Sequence, residues 1–198
     1  MPITINGSGT VTGITAGGLP DGVITTDDIA ASAITRAKIG YAGAILQVVQ
    51  TVKTDTFSRT SSGSDYGEIT GLSVSITPSS ASSKILIFAS ISCSVTASNR
   101  VGLRLAVNSS AITAYTGDAS GSRTRAASAT WASAAGNDLS HLTLNYLHSP
   151  GSTSAQSYSI QGSAEGTSTF YLNRAATNVD SINVYVGASS IIAMEVAA

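Results

Sequence analysis

The chain has 198 residues, a net charge of −1, charged side chains at only 11% and a single cysteine. That length accommodates one good-sized domain plus a smaller segment, and the charge balance excludes a strongly basic nucleic-acid binder. Plentiful β-branched residues argue against disorder, one cysteine excludes an intrachain disulfide, and neither a membrane-length apolar run nor a secretory signal pattern occurs.

In chain order, residues 1–22 read as an extended N-terminal arm. Ile3, Ile5 and Val11 stand among Gly7, Gly9 and Gly13, and the turn signal Gly17-Gly18-Leu19-Pro20-Asp21-Gly22 closes the stretch. Such a segment cannot bury its own apolar side chains, so Ile3, Ile5 and Val11 are the expected anchoring contacts to another protein.

A ladder overlaps the arm and continues beyond it. Ile14, Leu19, Ile24, Ile29, Ile34 and Ile39 recur every five residues. On an α-helix a step of five turns about 140° net, which scatters the six around the axis. On a strand an odd step sends alternate members to opposite faces. The spacing predicts a short repeated unit that returns to one side. A decad repeat supports it, since Ile24-Thr25-Thr26-Asp27-Asp28-Ile29-Ala30 aligns with Ile34-Thr35-Arg36-Ala37-Lys38-Ile39-Gly40. One stripe has too little beside it to bury against, so residues 23–43 are expected to form a neck closed by identical stripes from other copies. The alternative is one amphipathic helix over residues 27–38.

From residue 44 the period becomes two, and residues 44–198 read as an all-β head. Residues 45–52 form an apolar strand. Leu72, Val74 and Ile76 alternate with serines. Ile85, Ile87, Ala89, Ile91, Cys93 and Val95 give the strongest strand signal, and the first half of its other face, Leu86 and Phe88, is expected to be covered. Leu103, Leu105 and Val107 lead into an Asn108-Ser109-Ser110 hairpin turn, with Arg104 facing outward. Leu142, Leu144 and Tyr146 follow, then Tyr158 and Ile160, Phe170 and Leu172, a strand through Ile182, Val184 and Val186, and a last one through Ile192, Met194 and Val196. Residues 116–137 read as one or two long loops. Short strands separated by Gly/Ser/Asn turns predict an antiparallel β-sandwich, jelly-roll-like in form.

No residue pattern calls for a catalytic centre, a metal or a cofactor. Cys93 lies on the apolar face of its strand with no base nearby in sequence. His141 and His148 face opposite sides of one strand, without the acidic or cysteine cluster a metal site needs. Asp65 and Glu68 could serve glycoside hydrolysis as a pair, but turn carboxylates are ordinarily solvated. Tyr115, Arg123, Arg125 and Trp131 are the candidate receptor contacts, because aromatic faces stack on sugar rings and arginines fork to carboxylates. Against that, Trp131 could simply pack under its own loop.

The opening Ile3-Thr4-Ile5-Asn6-Gly7-Ser8-Gly9-Thr10, the turn at residues 17–22 and the decads resemble short tail-fibre-like virion proteins of bacteriophages, of the marine and cyanobacterial type. Tyr146-Leu147-His148-Ser149-Pro150-Gly151, Phe170-Tyr171-Leu172-Asn173-Arg174 and Ile191-Ile192-Ala193-Met194-Glu195-Val196 are similar to the C-terminal domain of that group. The resemblance implies a non-enzymatic homotrimer on the virion surface: an N-terminus anchored to another virion protein, a trimeric neck, and a head that meets host-surface glycan. It implies neither nucleic-acid binding nor membrane insertion. The almost absent shaft leaves a capsid decoration or head-fibre role open, and a carbohydrate-active enzyme is the alternative from another class.

Overall fold

The computed structural model describes residues 4–5, 11–12, 27, 29–31, 33–34, 41–61, 65–96, 98–132 and 136–198. The chain divides into two compact units, Met1–Gly40 and Tyr41–Ala198.

In the first unit β1 (Thr4–Ile5) pairs antiparallel with β2 (Val11–Thr12), placing Ile5 opposite Val11. Both strands lie within the stretch expected to form the arm, and a two-stranded pair of this size is marginal on its own. Ile29 and Ile34 are 41% and 56% exposed within the single chain. Ile3, Ile14, Leu19, Ile24 and Ile39 lie outside the described residues.

The second unit is an antiparallel β-sandwich. Its first sheet holds β3 (Ile45–Lys53), β4 (Phe57–Thr60), β6 (Lys84–Val95), β10 (Ser140–His148), β12 (Thr169–Leu172) and β13 (Ser189–Val196). Its second holds β5 (Gly67–Ile76), β7 (Arg100–Val107), β8 (Ser110–Ala111), β9 (Ser128–Trp131) and β11 (Gln156–Ala164). Three of the strand positions are split. β13 and β12 share one edge of β6 end to end, opposite Lys84 to Ser90 and Cys93 to Val95. β3 and β4 lie beyond them in the same arrangement, and β9 and β8 divide the edge of β7. With each split pair taken as one strand, the first sheet runs β3/β4, β13/β12, β6, β10, and the second β5, β11, β7, β8/β9. That is the jelly-roll order.

Alternation builds the core. Ile85, Ile87, Ala89, Ile91, Cys93 and Val95 of β6 point inward, as do Leu72, Val74 and Ile76 of β5 and Val101, Leu103 and Leu105 of β7, all buried. Each fully buried Leu or Ile contributes about 1.5–3 kcal/mol through burial. Tyr158 is completely buried, and its hydroxyl meets His148 Nδ1 at 2.8 Å. Burial raises the Tyr158 phenol above its ordinary pKa and lowers that of His148, so both stay neutral at physiological pH. Asn108 and Ser109 adopt φ values of 48° and 65°, the left-handed geometry of a two-residue hairpin between Val107 and Ser110.

Two polar groups tie strand ends together. Asn173, fully buried at φ 59°, occupies the breaks in both split positions of the first sheet. Its Nδ2 donates to the Lys53 and Asp55 carbonyls at 2.8 and 2.9 Å, and its Oδ1 accepts from the Ser189 hydroxyl at 2.6 Å. Glu195 is fully buried near the opposite end, accepting from Gln47 Nε2 and from the Ser79 backbone N–H and hydroxyl, each at 2.6 Å.

The strand expected through Ile182, Val184 and Val186 does not form. The loop at residues 173–188 makes only an isolated bridge between Arg174 and Val186, and Ile182 is 95% exposed. β12, β13 and β10 occupy both edges of β6, and the segment bridges instead to Arg174 of its own loop. The loop expected over residues 116–137 is interrupted by β9.

Burial alone would raise the Glu195 pKa, but the hydrogen bonds from Ser79, Ser83 and Gln47 together outweigh it and hold the carboxyl below its usual value. A pKa lowered by folding stabilises the protein above the ordinary carboxylate range, and that contribution is lost as pH falls through the folded value. Glu195→Gln is expected to cost about 1–3 kcal/mol at neutral pH. In thermal unfolding followed across pH, the gap between variant and wild type should narrow as the medium becomes acid.

Candidate functional site

The outer face of the second sheet is polar by alternation. Ser73 and Ser75 of β5, Ser157, Ser159 and Gln161 of β11, and Arg100, Gly102 and Arg104 of β7 share it. The loop at residues 116–127 borders this face. It is fixed by Gly117 N–H on the Ala126 carbonyl at 3.1 Å, by Ala127 N–H on the Leu103 carbonyl at 2.8 Å, and by Arg125 Nε on the Gly117 carbonyl at 2.5 Å.

Tyr66, just before β5, lies across β7 at Gly102. A Cβ at that position would come within 2.5 Å of the tyrosine hydroxyl, so glycine is what permits the approach. The Arg104 guanidinium sits 4.3 Å from the Tyr66 ring centroid, and Arg104 Nε donates to Gln161 Oε1 at 2.7 Å. A cleft of about 440 Å³ opens here, lined among others by Tyr66, Arg100, Gly102, Arg123, Ala129 and Glu165. An adjoining basin brings Arg104, Arg123 and Arg125 around the same tyrosine. Arg100 makes two hydrogen bonds to Glu165, at 2.8 and 3.0 Å, and lies 4.6 Å from the Trp131 ring centroid. The Tyr66 hydroxyl is buried and has no hydrogen-bond partner among the described residues. Burial is the main reason its pKa is raised, with Arg104 pulling weakly the other way.

Of the four candidate receptor contacts, Arg123 lines the cleft and Arg125 the basin. Trp131 stands on β9 opposite Arg100, 50% exposed, and so is not buried under its own loop. Tyr115 belongs elsewhere: it stacks on Tyr146 at 5.0 Å and accepts from the Asn145 N–H at 3.0 Å. Tyr66, Arg100, Gly102, Arg104 and Glu165 were not among the sequence candidates. The signal for three of them is present, since Arg100, Gly102 and Arg104 alternate on one face of a strand.

The other chemical candidates are occupied. Asp65 pairs with Arg59 at 2.6 Å, and Glu68 accepts from the Ser159 hydroxyl at 3.0 Å. Burial pushes the Cys93 thiol up to about 12. His141 meets the Ser90 and Ser92 hydroxyls on the outer face, whereas His148 turns inward to Tyr158. Among the described residues no group of three or more His, Cys, Asp or Glu side chains could hold a metal ion, and no helix is long and apolar enough to cross a membrane.

The outer face of the first sheet is different in kind. Val48, Met194, Leu86 and Leu147 stand in register across all four strand positions. The next row is Gln50, Ile192, Phe88 and Asn145, and the third is Val52, Ser190, Ser90 and Thr143. None of these twelve residues is charged. Phe88, expected to be covered, is 42% exposed, and a shallow groove bordered by Ser90, Thr143 and Ile192 runs beside it. The loop at residues 173–188 meets this face where the Ser92 hydroxyl donates to the Ala188 carbonyl, and it carries exposed Val179, Ile182, Tyr185 and Val186.

No family model matches the chain, and no curated protein matches it.

An unpartnered buried hydroxyl is costly, so Tyr66→Phe is expected to stabilise the protein by about 1 kcal/mol. Calorimetric melting should show Tm rising by about 2–4 °C.

Proposed function

We propose that this protein is a structural, non-enzymatic component of a bacteriophage particle that works as a homotrimer. Residues 1–22 anchor it to another virion protein, the five-residue ladder closes around the trimer axis, and the jelly-roll heads stand on the particle surface to meet the host. The phage assignment is supported by the motif resemblance alone. The observation that carries self-association is the apolar cluster of Val48, Met194, Leu86, Leu147, Ile192 and Phe88 on the outer face of the first sheet.

Scale supports that step. Four strands at about 4.8 Å spacing and some six residues of length make a patch of roughly 400 Å². Seven of its twelve side chains are apolar, so the patch is a mixed surface with an apolar centre, the composition expected of an interface rather than of a free surface. It is about half of the ~800 Å² per partner in a standard interface. Exposed Val179, Ile182, Tyr185 and Val186 of the 173–188 loop supply further area of the same character. The ladder runs directly into the chain leading to β3, whose Val48 and Val52 belong to the patch.

A capsid decoration role is the second reading. It is favoured by a ladder confined to residues 14–39, too short for a shaft, and it differs only in the anchor's docking partner. A carbohydrate-active enzyme is disfavoured because Asp65 and Glu68 are engaged with Arg59 and Ser159.

Light scattering coupled to size-exclusion chromatography is expected to give three copies per particle for the wild-type chain. Phe88→Asp combined with Met194→Asp places two charges on the outer face without touching the core. It should raise the dissociation constant at least about tenfold while leaving the circular dichroism unchanged. A monomeric wild type would overturn the proposal.

A further inference from the structure

We propose that the Tyr66 cleft binds a carboxylate-bearing sugar, a hexuronate unit of an acidic polysaccharide. This rests on the reading of the head as a displayed module and adds the class of ligand it takes.

Charge comes first. Arg104, Arg123 and Arg125 gather around Tyr66, and among the described residues none of them forms an ion pair with a carboxylate. Arg100 is already paired with Glu165. Arg123 lines the cleft itself and Arg104 and Arg125 the adjoining basin, so three guanidinium groups gather on this side of Tyr66 in a chain whose net charge is −1. Guanidinium forks match a planar carboxylate with two parallel donors.

The second argument is the orphaned hydroxyl. Tyr66 lines the cleft, and its Oη is buried just beneath with no partner among the described residues. A phenol both donates and accepts, and so does a sugar hydroxyl. One rigid frame carrying a carboxylate and hydroxyls answers the arginines and the tyrosine together, whereas an inorganic anion answers the arginines alone. The cleft volume, about 440 Å³, falls in the range of small-molecule sites. Trp131, half-exposed and level with Arg100, offers an aromatic face at the edge of the site.

The test is isothermal titration calorimetry on the full chain with three probes: trigalacturonate, a neutral trisaccharide and inorganic phosphate. The trigalacturonate is expected to bind, more weakly as salt rises, and the other two are not. Arg123→Ala, in an exposed loop, should weaken binding about tenfold or more. Tyr66→Phe should weaken it several-fold even though it raises Tm, which separates a lost contact from lost folding. Equal binding of the neutral sugar or of phosphate, undiminished binding by both variants, or no binding of trigalacturonate would each overturn the inference. Association state measured on the same samples keeps the two proposals apart. A trimer that ignores uronate removes only this one, and a monomer that binds it removes only the other.

Discussion

Strand β6 constrains everything around it. Period-two geometry sends Ile85, Ile87, Ala89, Ile91, Cys93 and Val95 to one side, so Leu86 and Phe88 must go to the other. The inward row is met by the second sheet and disappears from solvent. The outward pair is met by neighbours of the same kind, Met194, Ile192 and Leu147, within its own sheet. Nothing in the described chain lies over them sufficiently to bury Phe88. The outward face of β6 is apolar at Leu86 and Phe88 and polar from Ser90 onward, so only its first half calls for a second covering.

The two outer faces divide the labour of the molecule. The second sheet alternates core residues with Ser, Gln and Arg, so its outer face is polar and carries Arg100 and Arg104. The first carries Val48, Met194, Leu86, Leu147, Ile192 and Phe88 side by side, with Lys84 at one end of β6 and serines toward the other. A symmetric assembly built on the apolar face would leave the arginine cleft on its outside. Repeated display of a weak site then multiplies its effective grip.

Much of this was legible in the sequence because period-two patterning reports burial directly. The strands carrying Leu72, Ile85 to Val95, Leu103, Leu142, Tyr158, Phe170 and Ile192 stand where alternation puts them, as does the Asn108-Ser109 turn. The segment at Ile182 shows the limit: alternation states a preference for a ladder, but only the topology decides whether an edge is vacant. The cleft was half legible. Arg123 and Arg125 drew attention by charge, yet Tyr66 reaches them from a turn fifty-odd residues away in sequence, seated by a glycine on a third segment. No local pattern encodes a meeting of that kind. Tyr115 misled for the converse reason, since an aromatic near a basic loop can as readily stack on Tyr146.

Asn173 has a consequence of its own. Its side chain offers two amide hydrogens to two carbonyl oxygens and one oxygen to a hydroxyl, at a left-handed backbone position that few side chains tolerate. Aspartate has nearly the same shape, yet it would turn an oxygen toward those carbonyls. Spontaneous hydrolysis of this one amide would therefore convert a clasp into a wedge between strands.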